Sequence, residues 1–338
     1  MEEGLLTEQL DQAIEAMLRN PEARPEAVDS QVADLLGLAG DLRLLPRVSM
    51  KSSLRDELVA ATSVSTESTE IESGDELGSK VSEYRTVTPY LTVPDVHEEI
   101  DFVTKVFGAT GRIYGLGSAG GFHSEYKIGD SMLMIGGGGK GAKWKGSPAP
   151  GALHLYVENV DEVYQRAVAA GATVLMPPTD QEYGERGAAI QDVAGNHWYV
   201  ATATGPSYIP EGVPNLMPFF NPRGAPRMIE FMKQAFAAEE IAVYQSPDGI
   251  VHHAKIRIGD SVVEMGEAHD QWQPRPMVFM LYVDDVDAWY ARAMAAAGAV
   301  SAGAPAAQAY GRVGAVKDPF DNLWYIGQHP APQKDGAS

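Results

Sequence analysis

The stretch LHLYVENVDEVYQRAVAAGA, residues 153–172, changes its periodicity half-way along. Its first part, extended by Ala152 to ALHLYV, is a short apolar run typical of a strand, and its second part, DEVYQRAVAAGA, is typical of a helix. A second copy, FMLYVDDVDAWYARAMAAAGA, occupies residues 279–299. The sequence therefore contains an internal repeat.

The repeat extends on both sides of this unit. The offset between matching residues is 126 from Tyr156 to Tyr282 and 130 from His123 to His253. Two homologous domains are therefore predicted, joined near TGPSYIPEGVPN, whose prolines suit a stiff tether. The other matching segments are VTPYLTVPDVHEEIDFVTKVFGA with LMPFFNPRGAPRMIEFMKQAFAA, HSEYKIGDSMLMIG with HAKIRIGDSVVEMG, and QEYGERGAAIQDVAGNHWYV with QAYGRVGAVKDPFDNLWYI.

Each copy divides again into two similar halves. In the first copy, a strand precedes a helix with Val96, Ile100, Val103 and Phe107 at helical spacing, and three short strands follow. The pattern predicts an α+β fold in which the order βαβββ occurs twice per domain. The predicted organisation is a helical leader at 1–61, an acidic flexible linker at 62–84, domain 1 at 85–205, a Pro/Gly linker at 206–213, domain 2 at 214–330 and a tail at 331–338.

The segment before the repeats is predicted to be helical and then flexible. Leu6, Leu10, Ile14 and Leu18 recur at four-residue spacing, and such short helices must pack on the body or on a protein partner. Residues 62–84 contain six acidic residues, one lysine and many Ser and Thr. That composition cannot offset the entropy of the chain, which is why a flexible linker is expected.

The charge and the lack of cysteine narrow the classes of partner and compartment. A net charge of −20 repels phosphate backbones and anionic membranes, so neither nucleic acid nor membrane is expected as a partner. No apolar run approaches the roughly 20 residues that span a bilayer. Without cysteine there is no disulfide framework and no thiolate metal site. The expected location is the cytoplasm.

The segments GDSMLMIGG, LHLYVENVDEVYQRAVAAGATVLMPPTDQEYGERGAAIQD and GNHWYVAT carry a family resemblance. They resemble the vicinal-oxygen-chelate superfamily, which includes glyoxalase I, bleomycin-resistance proteins and extradiol dioxygenases, and within it the PhnB-like, glyoxalase-related proteins. The resemblance covers residues 85–330 and occurs in both copies. It implies tandem glyoxalase-like domains of a bacterial protein, with paired βαβββ modules that form a cupped sheet around a cavity.

The resemblance also provides a test for a metal ion. Metal-dependent members hold one divalent ion through His, Gln or Glu on the first, fourth, fifth and eighth strands, and leave positions open for two substrate oxygens. Only Glu264 has that chemistry here, so no cofactor is expected in either domain. The matching positions are Thr88, Met134, Ala152 and Tyr199 in domain 1, and Met217, Glu264, Val278 and Tyr325 in domain 2.

A displaced metal site is an alternative. His123 and His154, with Glu125, could form such a site in the first domain, and Glu264 is a further candidate ligand. The other interpretation is that these histidines lie at a pocket edge and are satisfied by hydrogen bonds.

Glu264 is also the candidate catalytic residue. On a strand with apolar neighbours it should point into the cavity, where its pKa would rise and it could act as a general base. The alternative is a carboxylate bonded to a neighbour such as Tyr310 or Arg312.

The remaining candidates are aromatic and polar residues expected to line the cavity. Flat rings with a few polar tips suit the stacking of a planar or amphipathic small molecule, although the same residues could simply fill a small core. The predicted ligand-binding residues are Tyr90, His123, Trp144, His154, Tyr156, Tyr199, Phe219, His253, Trp272, Tyr282, Tyr310 and Tyr325.

Three functions are consistent with these observations. The favoured one is a protein that binds a small molecule in a metal-free cavity. The second is a metal-dependent lyase, isomerase or dioxygenase with a displaced metal site. The third is a regulatory or scaffold protein whose helical leader docks a protein partner. A homodimer is an alternative to domains that face each other within one chain.

Overall fold

The computed structural model describes residues 84–117, 119–308 and 311–328. The predicted helical leader, Tyr310, the C-terminal tail and all of the acidic linker except Tyr84 lie outside these ranges. Within them, no helix combines the length and apolarity needed to cross a membrane.

The described residues form four copies of one module, each with the order strand, helix, strand, strand, strand. The predicted α+β fold of repeated βαβββ modules is therefore confirmed. Module 1 contains β1 (Val87–Val93), α1 (Val96–Phe107), β2 (Thr110–Leu116), β3 (Phe122–Ile128) and β4 (Ser131–Gly137). Module 2 contains β5 (Ala152–Tyr156), α2 (Val160–Ala169), β6 (Thr173–Gln181), β7 (Glu185–Gln191) and β8 (His197–Ala203). Module 3 contains β9 (Leu216–Phe220), α3 (Ala225–Phe236), β10 (Glu239–Gln245), β11 (Val251–Ile258) and β12 (Ser261–Met265). Module 4 contains β13 (Val278–Val283), α4 (Val286–Ala295), β14 (Val300–Gln308), β15 (Gly311–Lys317) and β16 (Leu323–Gln328).

Three of the four described helices begin at a residue whose side chain caps them. Asp95 precedes α1, and its Oδ1 accepts a hydrogen bond of 2.9 Å from the backbone N–H of His97. Asn159 and Asp285 cap α2 and α4 in the same manner, and each such cap stabilises a helix by about 1 kcal/mol. Helix α1 ends at Gly108, whose φ of +70° lies in the left-handed region that favours glycine.

The four modules form two eight-stranded sheets. Sheet I has the strand order β14-β15-β16-β13-β1-β4-β3-β2, and sheet II has the order β10-β11-β12-β9-β5-β8-β7-β6. Two antiparallel pairs join the modules at the centre of each sheet: β1 with β13, where Thr88 is opposite Met280, and β5 with β9, where His154 is opposite Met217.

Each sheet therefore takes one module from each sequence repeat. Modules 1 and 4 form sheet I, whereas modules 2 and 3 form sheet II. The two halves of a repeat lie on different sheets, and residues grouped by repeat in the sequence are grouped differently in space.

Helices connect the two sheets. Phe107 of α1, in a module of sheet I, packs on Trp198 of β8 in sheet II, with ring centroids 4.5 Å apart. Arg166 of α2 donates from Nε to the Val106 carbonyl at the end of α1 over 3.0 Å. Because one hydrophobic cluster contains buried residues from both sheets, the two repeats share a core. The matching contacts in the second repeat are Phe236 with Trp324 and Arg292 with Ala235.

The turn before β8 is organised by one buried aspartate. Asp192 Oδ1 accepts from the backbone N–H of Asn196 at 2.8 Å, and Oδ2 accepts from Trp198 Nε1 at 2.7 Å. Asn196 in turn accepts from the backbone N–H of Gly151 with its side-chain oxygen, which ties β8 to β5. Asp318, Asn322, Trp324 and Met277 make the same bonds before β16. This network accounts for the asparagine and the tryptophan of the repeated N-x-W-Y sequence.

Candidate functional site

One face of each sheet is packed against the helices, and we call the other the open face. On sheet II, residues that pair across neighbouring strands point to the same side. Leu153 and Leu155 belong to the core shared with the helices, so the residues that alternate with them lie on the open face. The paired open-face residues are His154 with Tyr199 and Met217, Phe219 with Glu264, and Glu264 with Lys255.

A charged cluster lies on the open face of sheet II around Glu264, which is fully buried. His154 donates from Nδ1 to Glu264 Oε2 over 2.5 Å, and His253 Nε2 lies 3.6 Å from the same oxygen. Lys255 Nζ lies 3.1 Å from Oε1, an ionic contact without standard hydrogen-bond geometry. Both oxygens of the carboxylate thus face cationic or imidazole groups.

Glu264 and His154 form a buried ion pair. Burial alone would raise the pKa of Glu264, but the charge and hydrogen bond of His154, with His253 and Lys255, hold that pKa well below its usual range. Burial alone would lower the pKa of His154, but the charge and hydrogen bond of Glu264 raise it. Both shifts favour the charged forms of the two groups.

Aromatic rings stand beside this cluster. The ring of Tyr199 lies 4.5 Å from that of Phe219 and 5.3 Å from that of Trp272, between ring centroids. The ring of Phe219 is stacked on that of His253, with centroids 6.3 Å apart and an angle of 26° between the ring planes. Tyr199 donates to Asn221 Oδ1 over 3.3 Å, and burial raises the pKa of its phenol. We call the rings of Tyr199, Phe219 and Trp272 the aromatic wall. Its polar groups, the Tyr199 hydroxyl and the Trp272 indole N–H, are neutral.

The other end of this face is covered by the chain itself. Tyr156 is buried, donates its hydroxyl to Glu185, and has Lys255 Nζ 5.8 Å from its ring centroid. Tyr208 and Ile209, from the linker between the repeats, pack against the cluster that contains Tyr156. The open part of the face therefore extends from Lys255 to the aromatic wall.

The open face of sheet I has a different polar network. Tyr90 OH and His123 Nδ1 are 3.0 Å apart, and His123 Nε2 lies 3.3 Å from Glu125 Oε1. Tyr84 donates its hydroxyl to Glu125, and its ring packs on Tyr282 at 5.1 Å. Tyr84, which precedes module 1, thus lies on the open face of sheet I.

The chemistry differs between the faces at matching positions. Glu264 of sheet II matches Met134 of sheet I, and Lys255 matches Glu125, both at an offset of 130. His154 matches Met280 at an offset of 126. Sheet I therefore places its acid on β3 beside methionines, whereas sheet II places a base on β11 and its acid on β12.

The structure groups the predicted ligand-binding residues by sheet rather than by repeat. Trp144 lies on the loop after β4, close to Gly121 and Gly146, and Tyr310 lies outside the described residues. The open face of sheet II contains His154, Tyr156, Tyr199, Phe219, His253 and Glu264, with Trp272 beside it. The open face of sheet I contains Tyr90, His123, Tyr282 and Tyr325.

The structure does not bring His123 and His154 together. His123 lies on β3 of sheet I and His154 on β5 of sheet II, so the proposed displaced site of these two histidines is not assembled. The reason is the crossed pairing of the modules, which separates the halves of the first repeat.

Glu264 is a carboxylate bonded to neighbours, as the second interpretation expects, but its partners among the described residues are His154 and Lys255. Its pKa is lowered rather than raised, because two neighbouring cations outweigh its burial. Arg312, one of its proposed partners, instead donates from Nε to Asp287 over 2.7 Å.

Sequence reasoning missed Lys255 and Tyr84. Lys255 follows His253 by two residues on one strand, so both side chains lie on the same face. That spacing, and the opposite charge of the matching Glu125, were the available signals. No such signal indicated Tyr84, because it precedes the first strand.

A separate cleft of about 480 Å³ lies between the loops that precede β5 and β13. Its charged side chain, Arg275, donates to the Gly195 carbonyl over 3.0 Å. Its walls are mostly proline, which has no backbone donor, so we place the candidate site on sheet II instead. The lining residues are Pro148, Ala149, Pro150, Gln273, Pro274, Arg275 and Pro276.

Comparison with known proteins accounts for this architecture. Residues 85–200 and 220–326 match the family model described as the Glyoxalase/Bleomycin resistance protein/Dioxygenase superfamily. The chain belongs to this superfamily. Its two eight-stranded sheets are thus built from two tandem domains of the glyoxalase type.

The similar proteins include uncharacterized ones and an enzyme. An uncharacterized protein of Mycobacterium bovis is 33% identical over 121 residues, which make up 33% of this chain and 79% of that protein. One from Mycobacterium tuberculosis has the same identity over 121 residues, or 71% of its length. Glyoxalase I from Zea mays superposes with a TM-score of 0.56 at 13% identity, covering 72% of this chain and 92% of that one. This last likeness shows the fold alone.

The residues at the family's metal-binding strand positions do not fit a divalent ion. On sheet II these positions hold Ala152, Tyr199, Met217 and Glu264, so one carboxylate is the only ligand of the usual kind, and a lysine ammonium lies 3.1 Å from it. In the described ranges, no group of three or more His, Cys, Asp or Glu residues is arranged to hold a metal ion. On sheet I the positions hold Thr88, Met134, Val278 and Tyr325.

Proposed function

We propose that this chain binds a planar small organic molecule on the open face of sheet II, without a metal ion. The observation that carries the proposal is the wall formed by Tyr199, Phe219 and Trp272 beside the ion pair of Glu264 and His154. Aromatic faces offer a large contact area, and a few fixed polar groups orient a ligand.

The state of Glu264 favours binding over proton transfer. A general base works best with a pKa near the operating pH, whereas the pKa of Glu264 is held well below its usual range. His154 already donates Nδ1 to Glu264. The cluster is therefore better suited to bind a ligand through fixed charges than to accept a proton.

Sheet II is favoured over sheet I because of Tyr84. Its ring on Tyr282 and its hydroxyl bond to Glu125 occupy part of the open face of sheet I. On sheet II the linker residues Tyr208 and Ile209 cover the Tyr156 end, whereas Tyr199, Phe219 and Trp272 remain half-buried among the described residues.

Calorimetric titration in the presence of a chelator tests the proposal. We expect a panel of two-ring and three-ring aromatic molecules to include ligands that bind to one site per chain. Phe219→Ala should weaken their binding about tenfold or more, because burial of a phenylalanine ring contributes about 1.5–3 kcal/mol.

The matched control is Tyr90→Ala, which alters the equivalent position of sheet I and should leave affinity unchanged. Absence of binding by every member of the panel would overturn the proposal. An equal loss in both variants would place the site elsewhere.

A further inference from the structure

The polar groups on the open face of sheet II are ordered by depth. The exposed fraction of the side chain is 0% for Glu264, 9% for His154, 19% for Lys255 and 34% for His253. A molecule that enters from solvent therefore meets an ammonium and an imidazole first, and the carboxylate lies beneath them.

Lys255 has donors to spare. An ammonium carries three N–H donors, and among the described residues Nζ makes an ionic contact with Glu264 and a ring contact with Tyr156. The other nearby carboxylate, Glu185, accepts the hydroxyl of Tyr156. The ammonium can therefore accommodate a further anion.

The matching position of sheet I reverses the charge. Glu125 stands where sheet II has Lys255, and it accepts from Tyr84 while lying 3.3 Å from His123 Nε2. The hydrogen bonds of His123, Tyr84 and Tyr114 overcome the effect of burial, which alone would raise the pKa of Glu125, and lower it. The two open faces, built on the same backbone pattern, thus present opposite charges at one position.

The spacing of the strands sets the size of the ligand. Lys255 lies on β11 and Phe219 on β9, with β12 between them, so two strand spacings separate them by roughly 10 Å. That distance suits a fused aromatic ring system on the Phe219 side with an acidic substituent that points toward Lys255.

We infer that the ligand of this face is an aromatic molecule with an acidic oxygen group, such as a carboxylate, whose anion is held by Lys255. The inference rests on the proposed function, since it names the class of molecule bound at the same face.

A pair of ligands that differ only in charge tests this inference on the unmodified full-length protein. Naphthoate and naphthamide share a ring system and have nearly the same shape, but only naphthoate is an anion at neutral pH. We expect naphthoate to bind about tenfold more tightly, since a charge-assisted hydrogen bond is roughly twice as strong as a neutral one. Binding of both with equal affinity, or tighter binding of naphthamide, would overturn the inference and leave the proposed function standing. Failure of both ligands to bind would also overturn the inference, whereas the proposed function fails only if no member of the aromatic panel binds.

Variants at Lys255 locate the anion. Lys255→Met should bring the ratio of the two affinities close to one, whereas Lys255→Arg should retain the preference for naphthoate. The matched control Glu125→Met, at the equivalent position of sheet I, should leave the ratio unchanged. A preference that persists in folded Lys255→Met, or is lost in Glu125→Met, would contradict the assignment. The ratio in the unmodified protein decides the question even if Lys255→Met does not fold.

Discussion

At the scale of single residues, Glu264 shows how a fully buried carboxylate remains ionised. His154 and Lys255 replace the solvation that the carboxylate loses on burial. Removing one charge from such a group leaves the others buried without compensation, which costs far more than the intact group contributes.

Glu264→Gln should therefore lower the free energy of unfolding by about 3–5 kcal/mol, measured by urea denaturation at neutral pH. The matched control is Glu125→Gln on sheet I, a less buried carboxyl, for which we expect a loss of about 1 kcal/mol. Equal losses in the two variants would contradict this account of the cluster.

The contact between Glu264 and His154 should make the stability of the protein sensitive to acid. Folding lowers the pKa of Glu264, so its contribution is present above the unfolded pKa and is lost as pH falls through the folded value. The unmodified protein should lose stability below about pH 4.5 more steeply than Glu264→Gln. Parallel curves of unfolding free energy against pH would refute this.

Glu99 is a buried acid whose pKa is shifted in the direction opposite to that of Glu264. It is fully buried on α1, and neither of its oxygens makes a hydrogen bond of standard geometry. Burial, followed by the charge of Asp192, raises its pKa well above the usual range. The second repeat has Met228 at this position, at an offset of 129.

Glu99→Met should stabilise the protein, and the gain should grow with pH. A raised folded pKa means that the contribution of Glu99 is present at low pH and is lost as pH rises through that value. Urea unfolding at about pH 5 and about pH 9 should show the larger difference at the higher pH. The exposed neighbour Glu98→Met serves as the control and should change stability little at either pH. A gain that shrinks with rising pH would contradict the assigned ionisation.

Part of the open face of sheet II could be predicted from the sequence, but Lys255 and the contacts between the residues could not. His154, Tyr199, Phe219 and Glu264 could be found because ionisable and aromatic side chains on strands are recognisable by position. The bond between His154 and Glu264 joins residues 110 positions apart. It exists because β5 pairs with β9, and that choice of neighbour leaves no local pattern in the sequence.

At the scale of elements, the turns before β8 and β16 hold the closing strands in place. Each buried aspartate accepts from an asparagine and a tryptophan indole. The indole N–H would be left unsatisfied in the core without it.

Asp318→Ala should therefore destabilise the protein by about 2–4 kcal/mol, as measured by urea unfolding. The control in the same turn is Asp321→Gly, which removes the same charge. Asp321 has φ of +69°, in the left-handed region, and Gly195 occupies the matching place with φ of +92°. That variant should be neutral or more stable by up to about 1 kcal/mol. Similar losses in both variants would show that charge, rather than the hydrogen bonds, is responsible.

The helices and strands could be predicted from the sequence, whereas the hydrogen bonds that fix the turns between them could not. Spacings such as Val96, Ile100 and Val103 indicate a helix, because they follow its period. The bonds from Asp192 to Asn196 and Trp198 follow no period, since they depend on the path of an irregular turn.

At the scale of the whole molecule, the repeat was visible but the crossing of its modules was not. Modules paired within a repeat and modules paired between repeats require the same strands, helices and turns, so one sequence pattern describes both arrangements. The observed arrangement, β1 with β13 and β5 with β9, depends on long-range packing.

Cleavage between the repeats tests this arrangement. A protease site inserted at Gly205, which is exposed, should be cut without separating the two pieces, because each sheet spans both of them. The pieces should elute together in size-exclusion chromatography and separate only in denaturant. Separation under native conditions would show that each repeat closes its own sheet.

The crossing of the modules also bears on how such a chain can change over generations. In a simple tandem array, one copy of a duplicated gene segment can be lost or specialised while the other retains the ancestral role. Here, deletion of either repeat would remove half of both open faces and leave neither of them whole. The two copies can still diverge residue by residue, as Lys255 and Glu125 have done. The loss of either copy would therefore affect both open faces at once.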